Sequence, residues 1–262
     1  MQVSAVYVPI IDLIREVGAY QREAFVSRDF AVHTKSSAVD LVTEIDVWSD
    51  QKFVAGIRSM FPEDRLLSEE QGSFEGSSDY EWIIDPLDGT TNFSIGHPIF
   101  AISVARWQGD IPVFGAVYLP MLNVLYTAER GKGAYQDDRK LTASVQTMLV
   151  KSVLGTGFPY DRAEAINNNS DNIQMMVPKV KGLRRLGAAA YDLCLVASGV
   201  YDAFWELRLA KWDLAAGRLM IEEAGGTFNA TCEAGKYNVI AGSKVLCEQL
   251  SLSLNMRNDI EG

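Results

Sequence analysis

One short stretch constrains this chain more than any other: an apolar run that stops on two acids held apart by proline. Trp82-Ile83-Ile84 reads as a buried strand, and Asp85-Pro86-Leu87-Asp88-Gly89-Thr90-Thr91-Asn92-Phe93 follows at once. The carboxyl edges of strands are where open α/β sheets place ligands. Two carboxylates at such an edge repel each other unless positive charge lies between them. Pro86 fixes the backbone between the acids, and Gly89 lets a ligand approach the main chain closely. Hard oxygen donors suit magnesium rather than zinc. The chain has only two histidines, His33 and His97, so a histidine-rich zinc site is hard to build. If Gly89, Thr90 and Thr91 open a helix, their N–H groups and the helix dipole form a phosphate cradle beside the metal.

An apolar strand followed by Asp-x-Asp-Gly-Thr also marks the haloacid-dehalogenase-like phosphatases, whose first aspartate is a nucleophile. Here the spacing is Asp-x-x-Asp, and the motif begins at residue 85 rather than near the N-terminus. Side chains alternate faces along a strand, so the extra residue disturbs the geometry which that mechanism needs.

The rest of the chain narrows the field. Its 262 residues suffice for one large domain or two closely joined ones. An apolar fraction of 48% and a charged fraction of 22% are those of a soluble globular protein. A net charge of −10 with no basic stripe argues against nucleic acid as a partner. No apolar run is long enough to cross a bilayer, so no membrane role is expected. The apolar patch from Val6 to Ile11 lacks preceding basic residues and soon meets Asp12, so it reads as a helix start and the expected location is cytoplasmic. Cys194, Cys232 and Cys247 are far apart, and buried free thiols are expected.

Helical spacing covers Ile10 to Phe25 and about Thr43 to Phe61, where Pro62 stops it; Ile45, Trp48, Ile57 and Met60 are candidate buried positions. Short strands are expected at Arg65 to Leu67 and Trp82 to Ile84, with a polar surface loop over Gly72 to Asp79. Strands near 101–105, 113–118 and 124–128 read as an antiparallel meander. Alternation then resumes: a strand at Val153-Leu154, helices over Ile173 to Val180 and Ala188 to Ser198, and a strand at Tyr201 to Trp205. A helix from about Leu214 to Ala224 ends at Gly225-Gly226, and two strands and a helix from Lys244 follow. The expectation is a mixed α/β layered protein, one domain over 1–262 with subdomains of about 1–140 and 141–262.

Further acids stand at element edges: Asp40 and Asp46, Glu69-Glu70, and Asp213. Each has a plain alternative. Asp213 precedes an alanine-rich run and would serve as an ordinary helix N-cap. Glu44 and Asp46 would lie on a solvated helix face, and Glu69-Glu70 would be a surface pair.

Taken together, Asp85 to Phe93, Trp212-Asp213-Leu214-Ala215-Ala216-Gly217 and Glu223-Ala224-Gly225-Gly226 closely resemble the signature motifs of the inositol monophosphatase family. The resemblance extends to Lys35–Asp46, Leu67-Ser68-Glu69-Glu70 and Leu186-Gly187-Ala188-Ala189-Ala190. It implies an αβαβα sandwich of the inositol monophosphatase and fructose-1,6-bisphosphatase type. It also implies a magnesium-dependent, lithium-sensitive phosphatase, usually a homodimer, with two to three Mg2+ per site. Glu69, Asp85 and the Leu87 carbonyl would hold one ion. Asp85, Asp88 and Asp213 would hold a second, and Glu69 would face a third through water. The alignment favours Glu69 over Glu70 in this role. The family has isoleucine where Leu87 stands, which leaves the carbonyl unaffected. Asp46 and Thr90 would orient the attacking water. Asp88, Gly187, Ala188, Ala189, Glu206 and Asp213 would line the substrate; for Glu206 an exposed strand-end acid is the alternative. Arg184 and Arg185 would lie near substrate, at a subunit interface or in solvent, and Lys35 would screen the acids or sit on a loop. Inositol 1-phosphate or a similar small polyol or sugar phosphate is the expected substrate. Fructose 1,6-bisphosphate, histidinol phosphate, NADP and 3′-phosphoadenosine 5′-phosphate are alternatives, as is a non-catalytic, metal-binding regulatory protein that acts by docking onto a partner.

Overall fold

The computed structural model describes residues 3–34, 41–163 and 165–257, so Lys35 and Asp40 lie outside the described residues. Helix α1 (Val8–Ser27) leads to β1 (Val32–Thr34) and β2 (Leu41–Thr43), an antiparallel pair, and then to α2 (Glu44–Met60). Strands β3 (Arg65–Ser68), β4 (Gly72–Phe74) and β5 (Tyr80–Asp88) precede a short α3 (Thr90–Ile95). The meander is β6 (Ala101–Gln108), β7 (Ile111–Leu119), β8 (Val124–Glu129), β9 (Gly133–Gln136) and β10 (Arg139–Lys140). Then come β11 (Val153–Thr156), α4 (Ser170–Met176), β12 (Gly182–Arg184), α5 (Ala189–Ala197), β13 (Ala203–Leu209) and α6 (Lys211–Glu223). The last elements are β14 (Thr227–Glu233), β15 (Lys236–Gly242) and α7 (Lys244–Ser253).

An eight-stranded sheet runs in the order β10-β9-β8-β7-β6-β5-β3-β4, and a five-stranded sheet in the order β12-β11-β13-β15-β14. Strand alternation distributes side chains into layers. Trp82 and Ile84 pack outward against Ile14, Val17, Phe53 and Ile57 of α1 and α2. Ile83 between them faces the other way, into a core with Leu193 of α5, Leu214 and Leu219 of α6, and Phe204 and Val239 of the second sheet. Ala203 and Trp205 turn to the far face, against Met176 of α4 and Leu246 and Leu250 of α7. A strand buried on both faces must be apolar throughout, which is why Trp82-Ile83-Ile84 shows no alternation of polarity. The result is the αβαβα layering. No described helix is long and apolar enough to cross a membrane.

Three expectations need adjustment. Gly72 to Asp79 is not all loop: β4 pairs antiparallel with β3, because Phe74 packs on the outer core and under Arg58. The helix expected over Ile173 to Val180 begins at Ser170 and ends at Met176, giving way to a tight turn at Val177–Lys179. Pro178 lacks the N–H that would continue the helix. Cys194 and Cys247 are buried free thiols, but Cys232 is exposed on β14.

Candidate active site

Strand β5 carries the first acids on an irregular ladder. Asp85 pairs with Ser103 and Asp88 with Ala101 of β6, three steps on one strand against two on the other. One extra residue makes a bulge, which re-aims side chains and interrupts pairing. Asp85 and Asp88 are buried, at 2% and 8% exposure. Gly89 follows with φ +96°, and a Cβ there would lie 3.1 Å from the Gly187 carbonyl and 3.2 Å from that of Ile99. Only glycine lets the motif meet the second half this closely. Asn92 completes the joint, its Nδ2 donating to the Ile99 and Leu186 carbonyls at 2.7 Å each.

Asp46 and Asp213 are placed by the same local device. Each is the third residue of a helix, and its carboxylate reaches back to the main chain before the helix. The Thr43 N–H donates to Asp46 Oδ2 at 2.9 Å, and the Ala210 N–H to Asp213 Oδ2 at 2.7 Å. Helix α6 starts three residues earlier than expected, at Lys211, so Asp213 is not the N-cap residue. Asp46 is 1% exposed, which rules out a solvated face for it, while Glu44 beside it is exposed. The Thr90 hydroxyl lies 2.8 Å from Asp46 Oδ1 and 3.2 Å from the Leu87 carbonyl, and its single proton favours the shorter contact. Asp88 accepts from the Ala189 and Ala190 N–H groups at 3.2 and 2.8 Å, so the start of α5 supplies partial positive charge to it.

Glu69, Asp85, Leu87, Asp88, Thr90 and Asp213 line one cavity of about 200 Å³, joined by Lys236. Asp85 and Glu69 are in hydrogen-bonding contact, which two bare carboxylates cannot sustain without a proton or a cation. Burial first, and then Glu69, Asp88 and Asp213, hold the Asp85 carboxyl well above the usual range. Burial raises Asp88 to about 7, against the pull of the Ala190 N–H. Burial and the Asp88 charge raise Asp213 to about 8. Burial raises Asp46 to about 6, partly offset by its bonds from Thr43 and Thr90. Among the described residues no three His, Cys, Asp or Glu side chains close into a ready-made metal cage. The donor set nonetheless fits hard divalent cations: all oxygen, densely anionic, and destabilised by its own charge.

An adjoining cavity of about 540 Å³ shares Asp88, Gly89, Glu206 and Asp213 with the first. Thr91, Gly187, Ala188 and Ala189 line it, so two of the three phosphate-cradle positions expected from sequence, Gly89 and Thr91, meet the substrate positions here, while Thr90 lines the smaller cavity. Thr90 does open a helix, though only a six-residue one. Glu206 is 9% exposed on β13, not an open strand-end acid. Burial and the nearby Asp192 and Asp213 charges push its carboxyl up. Arg185 lines this cavity, whereas the exposed Arg184 bonds to the carbonyl of its own neighbour Leu183.

Sequence reading missed Phe158, Tyr160, Arg162 and Asp192, which also line the larger cavity. The first three sit on an irregular segment with no periodicity to read. Asp192 is buried at 1% on the nearly all-apolar α5, and a lone acid in such a helix was the available signal. Gly157 is similar: a Cβ there would stand 2.0 Å from Glu206 Oε1.

Comparison with known proteins identifies the family. Residues 2–256 match the model of the inositol monophosphatase family. The chain is 43% identical over 198 residues to "Nus factor SuhB" of Pseudomonas aeruginosa, covering 73% of each. It is 42% identical over 214 residues to "Inositol-1-monophosphatase" of Mesorhizobium japonicum, covering 79% of this chain and 80% of the relative. The crystal structure of extragenic suppressor protein suhB from Bartonella henselae superposes with a TM-score of 0.86 at 33% identity, covering 98% of this chain and all of that one. A family match over almost the whole length leads to one conclusion: this chain belongs to the inositol monophosphatase family.

Proposed function

We propose that this protein is a magnesium-dependent phosphate monoester hydrolase acting on inositol 1-phosphate or a similar small polyol or sugar phosphate. The observation that carries the reading is the convergence of Glu69, Asp85, Asp88 and Asp213 on one cavity, with the Thr90–Asp46 pair at its wall. Glu69, Asp85, the Leu87 carbonyl, Asp88 and Asp213 would hold two to three Mg2+. Bound magnesium supplies neutralisation of the phosphate charge and acidifies water.

The chain's own groups do the rest. Thr90 Oγ1, 2.8 Å from Asp46 Oδ1, takes a proton from the attacking water while passing its own to Asp46. Burial of Asp46, raising it to about 6, suits it to receive that proton near neutral pH. The N–H groups of Gly89, Thr90 and Thr91 face the phosphate. Glu206 accepts hydrogen bonds from substrate hydroxyls, and Gly187, Ala188 and Ala189 bound the ring. No covalent enzyme intermediate is needed.

A lithium-sensitive, homodimeric, cytoplasmic enzyme completes the reading. A second reading, a regulatory protein that docks onto a partner, rests on the name "Nus factor" carried by the Pseudomonas relative. The deciding experiment is phosphate release by the purified chain from inositol 1-phosphate, fructose 1,6-bisphosphate, histidinol phosphate, NADP and 3′-phosphoadenosine 5′-phosphate. Each is run with magnesium and with magnesium plus lithium. Magnesium-dependent, lithium-inhibited release, fastest from inositol 1-phosphate, is expected. Release without magnesium overturns the metal reading, and silence on all five moves docking to the front.

A further inference from the structure

Helix α1 carries one polar residue on its buried face. Gln21 is 0% exposed, one turn beyond Val17, where the helical period calls for an apolar side chain. Its amide reaches the back of the acid-bearing bulge: Nε2 donates to the Pro86 carbonyl at 2.7 Å and to Ser49 Oγ of α2 at 3.1 Å. The Pro86 carbonyl needs such a donor. The bulge between Asp85 and Asp88 breaks the β5–β6 ladder at this point, and a buried carbonyl left there would have no partner. The neighbouring segment is tethered in the same way, since Ser68 of β3, the residue before Glu69, donates its hydroxyl to Asp50 of α2. Gln21, Ser49, Asp50 and Ser68 are all fully buried and form a polar floor between the two outer helices and the two strand ends that bear acids.

From this geometry we infer that Gln21 is a positioning residue for divalent-cation binding: it holds the Pro86–Leu87 peptide, and with it the Leu87 carbonyl and the Asp85 and Asp88 carboxylates, from behind. The inference rests on the proposed metal-dependent reading. It adds to that reading a residue on α1 that touches neither substrate nor cation. The logic is that of an outer partner orienting a ligand, where loss typically weakens metal binding by about 10- to 100-fold. The floor is polar because a bulge exposes backbone, and the amide of glutamine is long enough to span from helix axis to strand.

The test is calorimetric titration of the full-length protein with Mg2+ in the presence of inorganic phosphate, alongside thermal melting. Gln21→Leu keeps the volume and removes the donor, and is expected to weaken magnesium binding by about 10-fold or more. Ser49→Ala removes the group that steadies the Gln21 amide and is expected to weaken binding in the same direction by less. Val17→Ala, one turn earlier on the same buried face, is the control. It lowers the melting point through lost packing but leaves magnesium affinity unchanged. In phosphate-release assays Gln21→Leu raises the magnesium concentration for half-maximal rate, and kcat returns at saturating magnesium. Wild-type-like magnesium affinity in a folded Gln21→Leu protein overturns the inference and leaves the proposed function standing. If Gln21→Leu does not fold, unchanged affinity in Ser49→Ala overturns it instead. Failure of the wild-type chain itself to bind magnesium overturns the metal reading on which it rests.

Discussion

The two ends of the cleft are made of different material. At the acid end each group sits on, or one residue beyond, a regular element: Asp46 on α2, Glu69 after β3, Asp85 and Asp88 on β5, Thr90 on α3 and Asp213 on α6. At the alcohol end Phe158, Tyr160 and Arg162 lie on an irregular segment, set against Thr91, Ala189, Asp192 and Glu206 on regular elements and Arg185 one residue past β12. Asp85 is 2% exposed and Tyr160 is 58% exposed. The difference teaches a division of labour. Rigid elements hold the chemistry to a fixed geometry, while loops on that scaffold adapt the site to one alcohol or another.

If that division is right, substitutions at the acid end strike kcat for every substrate, and those at the alcohol end redistribute substrates. The largest effect is expected from Asp88→Asn. Losing one ligand charge removes several kcal/mol of transition-state stabilisation, so turnover should fall by about a thousand-fold while the melting point holds. Steady-state assays beside thermal melting check this, and near-normal turnover by the folded variant would undo the site assignment. Next comes Thr90→Val, which removes the hydroxyl 2.8 Å from Asp46; a loss of about a hundred-fold in kcat is expected on all substrates alike.

Smaller and selective effects belong to the other end. Glu206→Gln should raise KM for inositol 1-phosphate by about ten-fold, the worth of one hydrogen bond. It should leave an aryl phosphate without hydroxyls nearly untouched. Gly157→Ala sharpens the point without altering the acid: its Cβ would stand 2.0 Å from Glu206 Oε1, so the carboxylate must move and the same selectivity be lost. Equal losses on both substrates would erase the distinction between the two ends.

The smallest effect is on stability. Without cations, burial holds Asp46 at about 6, Asp88 at about 7 and Asp213 at about 8, against an unfolded value of 3.8. A carboxyl raised in the fold binds its proton more tightly there than in the unfolded chain. Its contribution is therefore complete below the unfolded value and is lost as pH climbs through the folded one. Magnesium-free protein should melt lower at about pH 8 than at about pH 5, and saturating magnesium should shrink the gap. Calorimetric scans at both pH values measure it.

The same division explains what the sequence could tell. Trp82 to Asp88 was legible because a strand buried on both faces is apolar and its end is marked by the acids themselves. Asp46 and Asp213 were visible as acids near helix starts, but their role in the first turn hid their depth, since a capping carboxylate and a cleft carboxylate look alike in a sequence. Phe158 and Tyr160 were not legible, because an irregular segment has no period to betray which way it faces. Gln21 was hidden by the opposite cause: the pattern around it was clear, and a polar residue there reads as a turn of the helix toward solvent. Only the bulge in β5, a tertiary feature, explains it.

The most direct test of the central claim is anomalous diffraction at the manganese edge from a crystal grown with Mn2+ and phosphate. Manganese prefers the same oxygen donors as magnesium and marks its own position. The expected result is at least one strong peak bounded by the carboxylates of Asp85, Asp88 and Asp213, with Glu69 on its rim. Peaks only elsewhere, or none within reach of those side chains at saturating Mn2+, would contradict the account.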